Sequence, residues 1–421
     1  MKKLLFLTLI GLMITACGKD DSYDPMEVEE VDTQAPSKPL NLDASEQTET
    51  SIKLTWEAST DNIGVTGYKI YQDETAITGL ITETTFTIES LTSGSLYSFY
   101  ITAFDAEENE SAKSNTLEAF TIEQPLSFLP LLSEMGVFDG NLSDLNPSDG
   151  VQLYEIHSTL FTDYAHKQRL IRLPNGKSMR YNNTDLLPAF PDNTLISKTF
   201  YYNLDERDPS LGNKIIETRI QLKVNGEWIV GDYIWNASQT EATLRETGST
   251  EAISFIDANG NTQNVNYQIP SKQDCFTCHN NNTTTSPIGL KLRNLNFIPS
   301  YTNQNQLNYF GGLGLLQGVN SGNTSVLPNW EDENLLIEDR ARAYMDVNCA
   351  HCHQPRGSVP PGFMLDFRLE TAFPDTGIYA NRGEIIARFQ STLPTYRMPQ
   401  LGRTVIHGEA LQMLNEYIDS L

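Results

Sequence analysis

The chain of 421 residues contains few cysteines and few basic residues. It has five cysteines, and its 29 lysines and arginines are outnumbered by 54 aspartates and glutamates, which gives a formal net charge of -25. Such an acidic surface repels the phosphates of nucleic acids and of anionic lipids, so we expect neither as a partner. A protein partner with a basic face would be attracted instead.

Long hydrophobic runs are also missing, except at the N-terminus. Residues 4–14 form the one apolar run, and about eleven residues are too few to cross a bilayer. The run follows two lysines and ends in the sequence Thr-Ala-Cys at Cys17, a pattern typical of a lipoprotein signal. We therefore predict a signal over residues 1–17, with Cys17 carrying the lipid.

A lipid on Cys17 would place the protein, after export, at the outer membrane of a Gram-negative bacterium, in the periplasm or on the cell surface. The membrane would then be contacted through this lipid only. The alternative is an ordinary signal peptide with an incidental cysteine. Residues 18–35 are acidic and lack periodicity, so we predict a disordered linker there.

Residues 36–122 contain short runs in which apolar and polar residues alternate, which predicts β-strands. The segment has an early tryptophan, Trp56, and the sequence Leu91-x-x-Gly94-x-x-Tyr97. In these features it resembles a fibronectin type III domain. That resemblance implies a β-sandwich that serves as a spacer or as a binding module.

Residues 124–270 are also rich in extended segments. Two alternating runs flank Asn225-Gly226, and this dipeptide is a strong signal for a β-hairpin. We expect a β-sandwich-like domain in which Trp228 and Trp235 belong to the core.

After residue 270 the hydrophobic pattern becomes helical. Residues 331–348 and 407–421 carry apolar residues three and four positions apart, as amphipathic helices do. We divide this part into a segment over 271–330 and a mainly α-helical domain over 331–421. The predicted fold class is therefore multidomain, β plus α.

Four of the five cysteines lie in two copies of the sequence Cys-x-x-Cys-His. The copies are Cys275-Phe-Thr-Cys278-His279 and Cys349-Ala-His-Cys352-His353. Two thiols at this spacing reach the two vinyl groups of one haem, and the adjacent histidine then lies under the iron as an axial ligand. The sequence therefore predicts two covalently bound haem c groups, one in the 271–330 segment and one in the C-terminal domain.

Two other uses of the cysteine pairs are possible. Together they could hold one zinc ion, or each could act as a redox dithiol. Neither use explains a histidine directly after both pairs.

The second motif has a candidate for the other axial ligand. Met398 lies in the sequence Arg-Met-Pro-Gln-Leu-Gly, 45 residues after His353. With a helix before the motif and a helix at the chain end, residues 331–421 resemble a class I cytochrome c, in which a Met-Pro loop supplies a thioether to the iron. This resemblance implies His/Met ligation at the second iron, which favours electron transfer. A core methionine is the alternative.

The first motif lacks such a candidate, because no methionine or histidine occurs from residue 280 to residue 344. The iron beside His279 would take its sixth ligand from elsewhere or leave that position open. The remaining candidates in the chain are Met135, His157, His166, Met179, Met345, His351, Met364, His407 and Met413.

Short sequences at 160–165, 169–176, 196–200, 289–296 and 341–348 are similar to those of a family of large bacterial dihaem c-type cytochromes. For residues 124–421 this resemblance implies electron transfer at the cell envelope. The haem irons would cycle between Fe(II) and Fe(III), with an unidentified redox partner protein.

Two alternatives remain. One is a dihaem oxidoreductase of peroxidase type, in which the first haem is open. The other is a surface adhesion or glycan-binding lipoprotein, which rests on the two β-rich segments. We expect an electron-transfer protein rather than an enzyme that converts a substrate.

Overall fold

The structure is a computed structural model and describes residues 31–281, 284–360, 362 and 365–421. The predicted signal with Cys17, and most of the predicted linker, lie outside the described residues. None of the helices in the described ranges has the length and apolar character that crossing a membrane requires.

The N-terminal region forms seven strands in two sheets. One sheet has the strand order β1-β2-β5 and the other β4-β3-β6-β7. Alternate strand residues are buried, among them Ile52, Leu54, Ile70 and Phe99. The strands are β1 (Leu40–Gln47), β2 (Ile52–Glu57), β3 (Gly67–Gln72), β4 (Thr75–Ala76), β5 (Thr85–Ile88), β6 (Leu96–Phe104) and β7 (Leu117–Phe120).

The middle of the chain forms a six-stranded sheet, ordered β14-β13-β12-β11-β9-β8, and a separate hairpin of β15 and β16. The neighbours in the large sheet are antiparallel. The strands are β8 (Val151–Leu153), β9 (His166–Arg172), β10 (Met179–Arg180), β11 (Leu195–Asn203), β12 (Asn213–Val224), β13 (Glu227–Trp235), β14 (Ala242–Arg245), β15 (Ser249–Ile256) and β16 (Thr262–Ile269).

The hairpin predicted at Asn225-Gly226 is confirmed. Both residues have positive φ angles, 53° and 82°, and Val224 pairs with Glu227 across the turn. A two-residue turn with both residues in the left-handed region matches the twist of the strands it joins.

The large sheet is covered on both faces, because successive side chains of a strand point to opposite faces. Leu170 and Leu195 belong to one buried cluster. Their neighbours Ile171 and Ile196 belong to another, which also contains Trp228. The expected β-sandwich is thus replaced by one sheet between two apolar layers and a separate hairpin. Both predicted core tryptophans, Trp228 and Trp235, are buried.

The α-helices of the described residues all lie after residue 270, together with a few two-residue strands. The elements are α1 (Lys272–His279), β17 (Asn280–Asn281), β18 (Thr284–Thr285), α2 (Leu292–Leu295), α3 (Gln306–Gly312), β19 (Leu316–Gln317), α4 (Ile337–Asn348), α5 (Ile378–Phe389) and α6 (Gly408–Asp419). The short strands pair as β10 with β19 and β17 with β18.

The prediction of a mainly α-helical C-terminal region is wrong. The described part of the chain has six α-helices, and most residues after 270 lie outside them. Turn residues explain the difference: asparagine, glycine and serine dominate 318–325, and proline and glycine recur around 355–362. Such residues favour turns over helices. The protein is therefore multidomain and mostly β.

A buried ion-pair cluster joins α4 to the chain around α2. Asp346 of α4 accepts hydrogen bonds from Lys291 Nζ at 2.7 Å and from Arg293 Nη2 at 2.9 Å. The backbone N–H of Leu369 donates to the same oxygen at 3.1 Å, and Arg293 Nη2 also contacts Glu370 at 2.7 Å. Arg293 is 2% exposed and Asp346 is 4% exposed, so water screens these charges little.

Replacing Asp346 with alanine is expected to lower the free energy of unfolding by about 3 kcal/mol, because Lys291 then loses its ion-pair partner and the buried Arg293 keeps only the more exposed Asp185 and Glu370. Glu246→Ala is the matched control. It removes an exposed ion pair with Lys272 and should cost no more than about 1 kcal/mol. Urea unfolding followed by tryptophan fluorescence measures both. Equal losses in the two variants would show that the cluster does not stabilise this part of the fold.

Candidate functional site

Helix α1 positions the first Cys-x-x-Cys-His motif. Ser271 caps the helix: its hydroxyl accepts from the backbone N–H of Asp274, and the Asp274 carboxylate accepts from the backbone N–H of Ser271. This capping box fixes the helix start. Cys275 and Cys278 then lie one turn apart, and His279 is the last helical residue.

The second motif follows directly from the end of α4, which is Asn348. The backbone N–H groups of Cys352 and His353 both donate to the carbonyl of Cys349, at 3.1 and 2.9 Å. These bonds close a tight turn. The Asn348 side chain accepts a bond from the backbone N–H of Phe161 at 2.8 Å.

The structure brings the two motifs together. The ligand atoms of Cys278, His351 and Cys352 all lie within 4.8 Å of one another. The Cys352 thiol is 3.8 Å from the carbonyl of Thr277. A hydrogen bond from Cys278 lowers the pKa of Cys352. Sequence reasoning favoured two separate haem sites, kept one zinc ion held by both pairs as an alternative, and named His351 only as a ligand candidate for the first iron.

A cavity of about 390 Å³ adjoins the second motif. Cys349, Cys352 and His353 line it, and so does Met398. The structure therefore places the two predicted axial residues, His353 and Met398, at one cavity. The other walls are mostly apolar and include Leu365, Phe367, Ile385, Phe389 and Leu414.

Arg403 holds the loop that carries Met398. The Arg403 side chain is 1% exposed. Its Nη2 donates to the carbonyls of Phe389 and Met398, both at 2.8 Å, and of Ser391 at 3.0 Å. One buried guanidinium thus supplies donors to carbonyls of the loop and of the end of α5, because it carries five N–H groups in a rigid fork.

A smaller cavity of about 120 Å³ adjoins the first motif and is lined by Cys275, Cys278 and His279. The Nδ1 atom of His279 is 2.7 Å from the carbonyl oxygen of Ser286. A carbonyl can only accept, so Nδ1 carries the hydrogen of this bond and Nε2 has its lone pair free. Burial lowers the pKa of His279 to about 3, so the ring is neutral at pH 7 and able to bind a metal.

A larger cleft of about 910 Å³ lies next to these cavities, and we call it the aromatic cleft. Four of its lining side chains carry rings that contact one another: Phe161, Tyr164, Trp330 and His407. Phe161 stacks on His407 with the ring centres 3.9 Å apart, and Trp330 meets His407 edge to face at 5.0 Å. Tyr164 is 39% exposed. The rest of the lining includes Glu331, Glu333, Glu409, Gln412 and Glu416.

Asp163 fixes the chain that leads to His407. Its carboxylate accepts from the backbone N–H groups of Thr404 and Val405, at 2.6 and 3.0 Å, and from the Thr404 hydroxyl at 2.9 Å. His407 itself lies 2.9 Å from the Tyr344 hydroxyl through Nδ1. Burial lowers the pKa of His407 to about 4, so its ring acts as a neutral aromatic wall.

Sequence reasoning missed the aromatic cleft. Its rings come from segments around residues 161–164, 330 and 407, and no local pattern joins them. Asp163 and Tyr164 both have positive φ angles, 48° and 63°, which a sequence of non-glycine residues does not reveal.

A family model described as "Fibronectin type III domain" matches residues 37–119. The N-terminal module is a fibronectin type III domain. This confirms the resemblance predicted for residues 36–122, and the two sheets of β1–β7 agree with it.

Proteins similar to this chain over the fibronectin type III domain include chitinases and an exoglucanase. Chitinase A1 of Niallia circulans is 49% identical over 90 residues, which are 21% of this chain and 13% of that protein. Chitinase Chi52 of Paenibacillus xylanexedens is 43% identical over 90 residues, which are 21% of this chain and 17% of that protein. Exoglucanase B of Cellulomonas fimi is 42% identical over 94 residues, which are 22% of this chain and 8% of that protein. The chain thus spans less than a fifth of the length of these relatives.

These findings contradict the predicted electron-transfer function. The matched family is the fibronectin type III domain, and the named relatives are chitinases and an exoglucanase. The prediction of a cytochrome that transfers electrons at the cell envelope is therefore wrong, whereas the attachment of two haems stays a prediction. The redox partner protein that was expected with this function stays untested. Among the alternatives, the glycan-binding protein agrees better with these relatives.

One buried carboxyl near the first motif provides a pH-dependent prediction. Burial and the charge of Glu217 raise the pKa of Asp232 well above its usual range. Folded Asp232 therefore keeps a proton that the unfolded chain releases above about pH 4. The contribution of Asp232 to the free energy of unfolding is therefore fully present below that pH and decreases as the pH rises.

Asp232→Asn, which mimics the protonated carboxyl, should remove this loss. The free energy of unfolding of the variant should equal that of the unchanged protein near pH 4. Above pH 4 the free energy of unfolding of the variant should exceed that of the unchanged protein by about 1.4 kcal/mol for each pH unit, up to the pKa of Asp232 in the folded protein. Urea unfolding at pH 4, 5, 6 and 7 measures the difference. A difference that does not vary with pH would contradict the raised pKa.

Proposed function

We propose that this chain is a surface protein that binds a glycan in the aromatic cleft. The observation that carries the proposal is the cleft of about 910 Å³ with contacting rings in its wall and carboxylates around it. Ligand sites of this kind combine apolar faces with a few polar groups that fix the orientation of the ligand. A sugar ring offers both an apolar face and hydroxyl groups.

The geometry of the cleft suits such a ligand. Tyr164 presents part of its ring to solvent, and its position is fixed because its hydroxyl donates to Glu409 at 2.9 Å and accepts from the backbone N–H of Gly408 at 3.2 Å. Glu331 and Glu333 offer acceptors for sugar hydroxyls. A fixed ring loses little conformational freedom when a ligand stacks on it.

The fibronectin type III domain supports the choice of ligand. Its relatives carry the names chitinase and exoglucanase, so chitin and cellulose are the first glycans to test. Carboxylates and the cations Lys167, Arg169 and Arg340 both line the cleft, so the hydroxyl groups of a sugar meet acceptors as well as donors there. We place the protein at the outer membrane of a Gram-negative cell, in the periplasm or on its surface, anchored through a lipid on Cys17.

The described residues also fit haem c as a cofactor, and we propose one haem at each Cys-x-x-Cys-His motif. The Nε2 lone pair of His279 is available because Nδ1 is bonded to a carbonyl. The Nδ1 of His353 is buried and has no hydrogen-bond partner among the residues that the structure describes. Met398 lines the same cavity as His353. The cysteines of each motif would hold the haem, His279 or His353 would bind its iron, and the haem would supply a redox-active metal.

Tyr164→Ala should weaken binding of the full chain to insoluble chitin or cellulose about tenfold, which corresponds to about 1.4 kcal/mol. The loss follows from removal of the exposed ring of the cleft. Tyr379→Ala is the matched control, because Tyr379 is an exposed tyrosine of α5 outside the cleft lining. Depletion of the protein from solution by each polysaccharide measures affinity. If the unchanged chain binds neither, or if both variants bind equally well, the proposal fails.

The haem proposal has its own test, which does not depend on glycan binding. The chain is produced with a c-type haem maturation system, and the intact mass of the denatured protein is measured. We expect two attached haems, and one in each of the double variants Cys275→Ala/Cys278→Ala and Cys349→Ala/Cys352→Ala. A mass equal to that of the polypeptide alone, with zinc bound to the native protein, would instead favour a metal at Cys278, His351 and Cys352.

A further inference from the structure

A row of basic side chains crosses the large sheet beside the first motif. Lys198 of β11 lies directly opposite Arg169 of β9 on one side and Arg219 of β12 on the other. Like charges in directly opposite positions destabilise a sheet. Lys167, opposite Phe200 on the same face, adds a fourth basic side chain. Burial and the neighbouring cations lower the pKa of Lys167 and of Lys198. These four residues form what we call the basic row.

The basic row faces the small cavity next to Cys275 and Cys278. All four basic side chains line this cavity, and none of the described aspartates and glutamates does. Among the described residues, Lys198 Nζ makes one hydrogen bond, to the carbonyl of Ile288 at 2.9 Å, and Lys167 Nζ makes one, to the carbonyl of Leu160 at 2.7 Å. An ammonium group has three donors, so each lysine has donors left for a ligand.

The acids on the same face of the sheet, Glu217 and Asp232, do not neutralise the basic row. Glu217 pairs with Arg219, and it is the one ion-pair partner that the row has among the described residues. Asp232, opposite Arg219 on β13, holds a proton because burial and Glu217 raise its pKa. The Nε atom of Arg219 is buried and has no hydrogen-bond partner within the described ranges. Partly buried cations without counter-charges are costly.

We propose that the basic row binds the carboxylate of a ligand in this cavity. Arginine binds a carboxylate through two parallel N–H groups, and lysine adds a point charge. The inference goes beyond the glycan site, although Lys167 and Arg169 also line the aromatic cleft, so a soluble ligand could enter from there. Two sources share this chemistry: a free carboxylate such as glucuronate, and the propionates of a porphyrin attached at Cys275 and Cys278.

The test compares Lys198→Met with Lys223→Met in the full chain. Lys223 is the matched control, because it lies on β12 of the same sheet and its Nζ also donates to one carbonyl, of Phe190 at 2.7 Å, but it does not line the cavity. Without added anion, Lys198→Met should unfold at a higher temperature than the unchanged chain, since charge repulsion is removed. Lys223→Met should show no such rise. A fall in the Lys198→Met midpoint would overturn the proposal.

The source of the carboxylate follows from titration with sodium glucuronate, with sodium chloride of equal ionic strength as the reference. If glucuronate binds to the unchanged chain, and at least tenfold more weakly to Lys198→Met, the ligand is a free carboxylate. If it binds only after Cys275→Ala/Cys278→Ala, and Lys198→Met abolishes that binding, attached propionates fill the cavity. If glucuronate stabilises neither form beyond chloride, or binds Lys198→Met as tightly as the unchanged chain, the proposal is overturned.

Discussion

The arrangement of the candidate sites depends on the buried ion pairs around Asp346. Lys291 and Arg293 follow the first Cys-x-x-Cys-His motif in the chain, and Asp346 lies in the helix that runs into the second. The cluster therefore holds the two motif-bearing segments against each other. Buried charges of this kind tolerate little displacement, because any loss of a partner leaves an unscreened charge in a poorly solvated place. The contact between Cys278 and Cys352 follows from this constraint.

The distribution of charge inside the protein is opposite to that on its outside. The chain carries a net charge of -25, yet the face of the sheet beside the first motif presents Arg169, Lys198 and Arg219 side by side. Neutral side chains at these places would stabilise the sheet more. Burial also affects charge in the aromatic cleft. It keeps the His407 ring neutral, so this ring packs against Phe161 as an apolar ring.

Much of the local structure could be predicted from the sequence. The Asn225-Gly226 turn formed as expected, because both residues tolerate positive φ. Helix α6 occupies Gly408–Asp419, inside the range given by its apolar stripe. The two apolar layers around the large sheet were not predicted. The alternation of residues along a strand is the same whether the strand belongs to a sandwich or to one sheet that is covered on both faces. The functional prediction relied on motifs in residues 124–421, whereas the matched family lies at 37–119.

The sequence by itself determined the identity of the N-terminal domain and the residues of the two cysteine motifs, because both are set by short-range spacing. The tertiary structure alone decided that Cys278 and Cys352 meet and that His353 and Met398 share a cavity. It also decided that Phe161, Trp330 and His407 line one cleft. These residues are far apart in the chain, and their proximity depends on sheet register, on the Asp346 cluster and on the carbonyls held by Arg403. Such long-range packing leaves no periodic trace in the sequence.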